Sequence, residues 1–368
     1  MNAPFRITSI ESFLNDGIKN IQKNVLRFSS LGNRERLFIK QYIQTSRRAL
    51  KIRRELSKKG EHIPPFLIAS ITRRCNLCCS GCYAKANQAK AAASGSSELS
   101  TEKWAAIFTE AQSLGVEFIL LAGGEPLIRR DVLTAVGGIK NIVFPVFTNG
   151  TLFDDAYIRL FDEHRNVLPV FSVEGGEAAT DLRRGGGVYN LFIKNIHTLK
   201  ERGILFGASI TVTSENINEV THNDFVGDLH QNGCNVFFFV EYVECNTSEN
   251  MRPLDNGQRE YLARRIFHLQ NVYTNILCIS FPGDEKAMDG CLAAGRGFFH
   301  INPSGGVEPC PFSPYSDTSL TTAGLREALR SPLFSKIQAS ALLNEKHSGA
   351  CVLAEKDAVV ASLLEDAD

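Results

Sequence analysis

The sequence has no surplus charge of either sign, no apolar run long enough for a bilayer and no cysteine before position 75. Lys and Arg total 40 against 40 Asp and Glu, so no global field favours nucleic acid or an acidic surface as partner. The longest apolar runs, such as Phe118 to Ala122 and Val236 to Val240, fall far short of the roughly 20 residues that span a membrane. The N-terminus lacks the charged-then-apolar order of a signal peptide, and Glu11 and Asp16 argue against a transit peptide. The expectation is a cytoplasmic protein with no membrane or nucleic-acid partner. Disulfides are disfavoured in that compartment, so the ten cysteines need another explanation.

What is present is an ordinary soluble composition, 43% apolar and 22% charged over 368 residues, enough for one large core and a smaller appendage. Residues 1–64 read as helical: Ile10, Phe13, Leu14, Ile18, Ile21, Val25 and Phe28 recur at helical spacing. The basic stretch from Arg47 to Lys59, which includes Arg53, reads as a solvated helix face. From Phe66 the pattern becomes strands at 66–72, 117–122, 141–148, 167–174, 205–213 and 235–243. Helices are expected between them at about 101–114, 127–139, 154–165, 189–202 and 216–232, with another at about 256–271. Such alternation calls for a parallel α/β sheet, either open and doubly wound or a partial TIM-type barrel. The Ala-, Ser- and Gly-rich stretch from Lys85 to Ser97 reads as a flexible connection, and Ser100 or Thr101 as the cap of the helix after it. After about residue 275 the rhythm stops, which divides 65–275 from 276–368. A hairpin over 298–309 and a helix at about 319–338 follow.

Four cysteines crowd into residues 75–82, in the order Cys75-Asn76-Leu77-Cys78-Cys79-Ser80-Gly81-Cys82. Clustered thiols point to metal or redox chemistry. A 4Fe–4S cluster prefers four thiolates, and three from one short loop leave one iron open, as catalytic sites require. A structural zinc site would pair CxxC with a second CxxC downstream, and none follows. CxxxCxxC after a first strand resembles the defining motif of the radical S-adenosylmethionine (SAM) superfamily. The resemblance implies a partial (β/α)6 barrel, cluster ligation by Cys75, Cys79 and Cys82, and no ligation by Cys78. The family usually has an aromatic residue just before the third cysteine; here Gly81 stands there and Tyr83 follows, so Tyr83 becomes a candidate contact to SAM.

Gly123-Gly124-Glu125-Pro126, after the second strand, resembles the family's GGEP motif. Its glycines allow close backbone approach, and Glu125 offers a carboxylate to the methionyl ammonium. Thr148 and Asn149 end the third strand, and Ser172 and Glu174 end the fourth, where side chains face the active mouth of such sheets. Ser172 and Glu174 resemble the ribose motif. Asp181, Arg184 and Gly185 to Gly187 resemble a D-x-x-R-G segment, which implies that Arg184 pairs with the SAM carboxylate.

Cys291, Gly305 and Cys310 form C-x13-G-x4-C, which resembles the opening of a SPASM/twitch extension. Cys351 supplies a third thiol. The set is smaller than that of a full SPASM domain, so a small twitch-like hairpin-plus-helix domain with one auxiliary 4Fe–4S cluster is expected. Its fourth ligand is left among Cys278, Cys245, His347, substrate and solvent. Cys234 reads as core, and His300 as packed or hydrogen-bonded. The family implies reductive cleavage of SAM to a 5′-deoxyadenosyl radical and hydrogen abstraction from a peptide or small molecule, with a flavodoxin- or ferredoxin-type electron donor. The alternatives are a radical methyl or group transferase, and a non-catalytic iron–sulfur or zinc protein.

Overall fold

The computed structural model describes residues 10–27, 32–91, 97–245, 251–281, 290–345 and 351–365. Helices α1 (Ile10–Val25) and α2 (Asn33–Ser57) precede β1 (Phe66–Ser70). Next come α3 (Tyr83–Ala91), α4 (Thr101–Leu114), β2 (Phe118–Ala122), α5 (Arg130–Gly137), β3 (Phe144–Thr148), α6 (Asp155–Glu163) and β4 (Val167–Val173). They are followed by α7 (Glu177–Arg184), α8 (Val188–Glu201), β5 (Gly207–Val212), α9 (Ile217–Val220), α10 (Asn223–Gln231), β6 (Val236–Glu241), α11 (Asn256–Val272) and β7 (Leu277–Phe281). The C-terminal unit adds β8 (His300–Ile301), β9 (Gly306–Glu308), β10 (Thr318–Ser319), α12 (Leu325–Ala328), α13 (Pro332–Ala339), α14 (Val352–Glu355) and α15 (Asp357–Glu365).

The strand order is β10-β9-β8-β1-β2-β3-β4-β5-β6-β7, and β1 to β7 are parallel. A doubly wound sheet reverses its order at a switch point. Here the order runs straight through from β1 to β7, so the sheet coils in one direction as an open partial barrel. The rhythm extends one strand beyond residue 275, because Leu277 to Phe281 pair with Val236 to Val240. β8 pairs parallel with β1, and β9 returns antiparallel as the expected hairpin.

Three local expectations change. The Ala-rich run from Lys85 continues the helix that begins at Tyr83 as far as Ala91, because alanine is the strongest helix former; residues 92–96 lie outside the described ones. The stretch at 319–338 is two helices, α12 and α13, broken where Ser331 caps the second and Pro332 opens it. Residues 216–232 likewise split into α9 and α10. Ser100 caps α4, accepting a hydrogen bond from the Lys103 amide at 3.3 Å.

Helix α2 lies against the N-terminal end of β2. Its basic stretch is mostly exposed, but Arg53 is 4% exposed and pairs with Glu117, itself 1% exposed, at 2.7 Å. Glu117 also accepts from the Tyr42 hydroxyl at 3.3 Å and from Ser46. Arg53 therefore departs from the solvated face because a buried carboxylate requires a counter-charge. Ile39 of α2 packs with Val236 and Leu277, at the N-terminal ends of β6 and β7, so the N-terminal helices cover the base of the barrel.

Burial alternates along the strands and marks the row of residues that faces the interior. Leu120, Phe147, Ser172, Thr211, Phe238 and Val240 are half-buried, while their strand neighbours are buried. By the period of two, those neighbours face the other side of the sheet. The Phe147 and Phe238 rings meet at 5.0 Å between centroids, although β4 and β5 separate their strands. The contact therefore crosses the interior.

Candidate functional site

The cysteine loop leaves the C-terminal end of β1, where barrel active sites assemble. Cys75 is exposed, and Cys79 and Cys82 are half-buried. The three thiols interact electrostatically: Cys75 feels Cys79 and Cys82, and Cys79 feels Cys82. Burial pushes the Cys75 and Cys79 thiols up, and for Cys79 the nearby Arg184 and Arg183 oppose this. Cys78 is exposed.

Two segments hold the loop. On one side, the Gly124 amide donates to the Thr72 carbonyl at 2.8 Å and the Glu125 amide to the Arg74 carbonyl at 2.8 Å. A Cβ on Gly124 would collide with the Arg74 carbonyl, and one on Gly123, at φ +133°, with that of Thr72. The two glycines are thus required by packing of the cysteine loop onto β2, a role the motif alone does not show. On the other side, the Ser80 amide donates to the Arg183 carbonyl at 3.1 Å, and Arg183 Nε donates back to the Ser80 carbonyl at 3.2 Å. Gly81 turns the loop at φ +63°, where a Cβ would press on the Tyr242 ring at 2.8 Å.

Glu125 is 1% exposed. Its Oε1 accepts from the Leu127 amide at 2.9 Å and the Thr148 hydroxyl at 2.7 Å, and its Oε2 from the Asn149 amide at 2.8 Å. Burial raises its pKa, against these hydrogen bonds. A carboxylate has about four acceptor positions, so roughly one is left for an outside donor. Thr148 and Asn149 thus hold Glu125. The Asn149 side chain donates through Nδ2 to Asn76 Oδ1 of the cysteine loop at 3.1 Å, and Asn76 Nδ2 donates to the Thr151 hydroxyl at 2.7 Å.

Arg184 is paired with Glu174, Nε to Oε1 at 2.8 Å, instead of standing free for a carboxylate. Arg183 shares that oxygen at 2.5 Å and donates to Thr211 at 2.7 Å. The sequence reading missed Arg183, although the two arginines are adjacent near the end of α7 and nothing in the spacing favours one. Glu174 Oε2 is buried and takes no hydrogen bond, which is an acceptor left for a ligand hydroxyl. Ser172 is half-buried, on the inner row of β4.

The second thiol group also assembles. Cys291, Cys310 and Cys351 are buried. Burial pushes the Cys310 thiol well up, reinforced by a hydrogen bond with Cys351 and by the proximity of Cys351 and Cys291. Cys278 lies instead with Cys234, both deep in the sheet and both raised by burial, Cys234 to about 12. Cys245 lies near Tyr83 and Tyr242. His347 lies outside the described residues.

Among the described residues, no group of three or more His, Cys, Asp or Glu side chains is drawn together tightly enough for a single metal ion. A four-iron cluster spreads its thiolates more widely than one ion does. Three thiols from one loop, beside a buried carboxylate with an open acceptor, fit a cluster and its chelating ligand better than zinc.

Comparison with known proteins agrees. The family model described as "Radical SAM superfamily" matches residues 69–226. The Fe-coproporphyrin III synthase of Methanosarcina barkeri (strain Fusaro / DSM 804) is 31% identical over 182 residues, 47% of this chain and 45% of that protein. The AdoMet-dependent heme synthase of the same organism is 26% identical over 289 residues, 72% of this chain and 81% of that protein. The chain thus spans less than half the length of the first relative. Streptococcus suis SuiB, solved with its precursor peptide SuiA, superposes with a TM-score of 0.64 at 18% identity, over 89% of this chain and 79% of that one; this likeness concerns the fold. With the cysteine loop seated on Gly123 to Glu125 at the mouth of a partial barrel, residues 69–226 are identified as a radical SAM domain.

Proposed function

We propose that this protein cleaves SAM reductively and abstracts hydrogen from a peptide or small-molecule substrate held in the barrel. The observation that supports this reading best is the tethering of one loop of three thiols to two buried carboxylates, Glu125 and Glu174, at the barrel mouth. Cys75, Cys79 and Cys82 would hold a 4Fe–4S cluster. The chemistry supplied there is transfer of one electron to the sulfonium of SAM, breaking the S–C5′ bond to give methionine and a 5′-deoxyadenosyl radical.

The chain's own residues bind and orient. Glu125 accepts from the methionyl ammonium with its remaining acceptor position, and Glu174 Oε2 accepts from a ribose hydroxyl. Arg183 and Arg184 hold the Glu174 carboxylate in place. Arg183 also fixes Ser80, so the cysteine loop and the ribose site move as one piece. Tyr83 follows the last site thiol, and its ring meets Phe312 edge-on at 5.4 Å. Phe147, Phe238 and Val240 give the barrel interior an apolar wall, which favours an apolar group of the substrate and excludes water from a reactive radical.

Cys291, Cys310 and Cys351 would hold a second, auxiliary cluster able to accept an electron or bind substrate. Relatives and neighbours named for tetrapyrrole and peptide chemistry support both substrate classes, and the peptide-bound neighbour favours a peptide. A flavodoxin- or ferredoxin-type protein would supply the electron. No two of the ten cysteines are joined in a disulfide, which supports a cytoplasmic setting; no described helix is long and apolar enough to cross a membrane.

The test is anaerobic reconstitution followed by dithionite and SAM, with chromatographic detection of 5′-deoxyadenosine. Product is expected from the parent chain and none from Cys75→Ala. A parent chain with an intact cluster and no product contradicts the proposal.

A further inference from the structure

The root of the cysteine loop is held by a carboxylate that stands just before α4. Beyond Ile71, whose amide donates to the Ala122 carbonyl at 2.9 Å, the chain leaves the ladder with β2, and its amides need acceptors other than a strand. Glu98 supplies them. Its Oε1 accepts from the Arg73 amide at 2.7 Å and from the Thr72 hydroxyl at 2.9 Å, and its Oε2 lies 3.2 Å from the same hydroxyl. The Thr72 hydroxyl oxygen in turn accepts from the Arg74 amide at 3.1 Å. The carbonyls of Thr72 and Arg74 are already taken by the Gly124 and Glu125 amides. Glu98 thus completes the backbone bonding of the three residues that lead into Cys75.

Glu98 is itself fixed from two directions. Arg129, 8% exposed, brings Nη1 within 3.7 Å of Glu98 Oε2, and the same nitrogen donates to the carbonyls of Ile71 at 3.3 Å and Leu99 at 3.2 Å. Asp131 accepts from Arg129 Nε at 3.1 Å and from Nη2 at 2.9 Å, which orients the guanidinium. On the other side, the Leu99 amide donates to the Pro303 carbonyl at 2.8 Å, in the turn between β8 and β9, and the Arg73 guanidinium donates to Ser304 of that turn. The stretch Glu98–Leu99 therefore joins the root of the cysteine loop to the C-terminal hairpin.

We propose that Glu98 is a positioning residue that presets the path of the cysteine loop for cluster binding, with Arg129 holding its carboxylate. The consequence for iron rests on the cluster reading above, whereas the hold on the loop root does not.

The experiment is hydrogen exchange by mass spectrometry on the full-length chain, before and after anaerobic reconstitution, with iron counted after desalting. The site cluster is identified as the electron paramagnetic resonance signal that changes when SAM is added. In Glu98→Ala the Arg73 and Arg74 amides are expected to exchange about tenfold faster, as loss of a hydrogen bond to a charged group implies, while β1 to β7 keep parent rates. Iron should fall from about eight per chain towards about four, those of the auxiliary set, and the SAM-responsive signal should be lost. Glu98→Gln keeps Oε1 as an acceptor and is expected to restore slow exchange and iron. Thr72→Val removes the hydroxyl between Glu98 and the Arg74 amide, and should speed exchange at Arg74 even if Glu98→Ala does not fold. Parent rates at Arg73 and Arg74 in these variants, acceleration spread through the whole sheet in both, or full iron in Glu98→Ala, overturns the inference. A parent chain that binds no iron overturns the proposed function instead, and the exchange rates still decide whether Glu98 holds the loop root.

Discussion

Replacing Gly124 by alanine should loosen the cysteine loop without touching any thiol. The added Cβ would collide with the Arg74 carbonyl. The backbone must therefore move, and the bonds from the Gly124 amide to Thr72 and from the Glu125 amide to Arg74, both 2.8 Å, are strained or lost. At roughly 0.5–1.5 kcal/mol for each hydrogen bond, the loss is about 1–3 kcal/mol, a large part of the roughly 5–15 kcal/mol that holds a typical domain folded. Because the Glu125 amide is one of the two donors, the carboxylate shifts with it, and SAM affinity should fall alongside iron retention. The assays are urea denaturation of the iron-free chain and iron content after reconstitution and desalting. Gly17 is the contrast. It is exposed on α1 with nothing within 4 Å of an added Cβ, so Gly17→Ala should stabilise the helix by about 1 kcal/mol and leave iron uptake alone. Parent-like stability and full iron in Gly124→Ala would refute the claim that this glycine serves loop packing.

Two further outcomes follow from buried and half-buried charges. Arg53→Ala leaves Glu117 buried without its cation and should cost about 3–5 kcal/mol by chemical denaturation, whereas replacing both Arg53 and Glu117 with apolar residues should cost less; equal losses would argue against the pair. Asp131 would be raised by its partial burial, but hydrogen bonds from Arg129 and Thr101 hold it down, from 3.8 to about 2. Because the folded state holds this proton more weakly than the unfolded chain, the stabilisation is complete above about 3.8 and is lost as pH falls through about 2. With Asp131 half exposed the effect is small, about 1 kcal/mol or less. The gap in melting temperature between the parent and Asp131→Asn should close over that interval; a gap that widens on acidification would contradict the sign.

The parts of the site that were legible in the sequence are those carried by residue type at short spacing. Three thiols in one loop and an acid after two glycines announce themselves, and so does the strand alternation that builds the sheet. What was not legible depends on side chains meeting across long stretches of chain. Arg53 looks like any other basic residue of its helix until Glu117, 64 positions away, takes it into the core. Arg183 and Arg184 differ only in how each reaches Glu174, Thr211 and Ser80 once α7 is packed. His300 reads as a lone histidine, yet the hairpin register puts it opposite Glu308. That cross-strand pairing of a base with an acid was the available signal. The alanine-rich stretch after Tyr83 reads as loose because small residues suit linkers, yet helix propensity prevails as far as Ala91.

In the proposed function, Cys75, Cys79 and Cys82 hold one cluster, and Cys291, Cys310 and Cys351 another. Iron content of reconstituted protein tests it directly, in the parent chain and in two variants in which either set is replaced by alanine. About eight irons per chain are expected in the parent and about four in each variant, as two four-iron clusters require, with the SAM-responsive signal lost only when the first set is removed. About four irons in the parent, or none left in the variant lacking Cys75, Cys79 and Cys82, would contradict it.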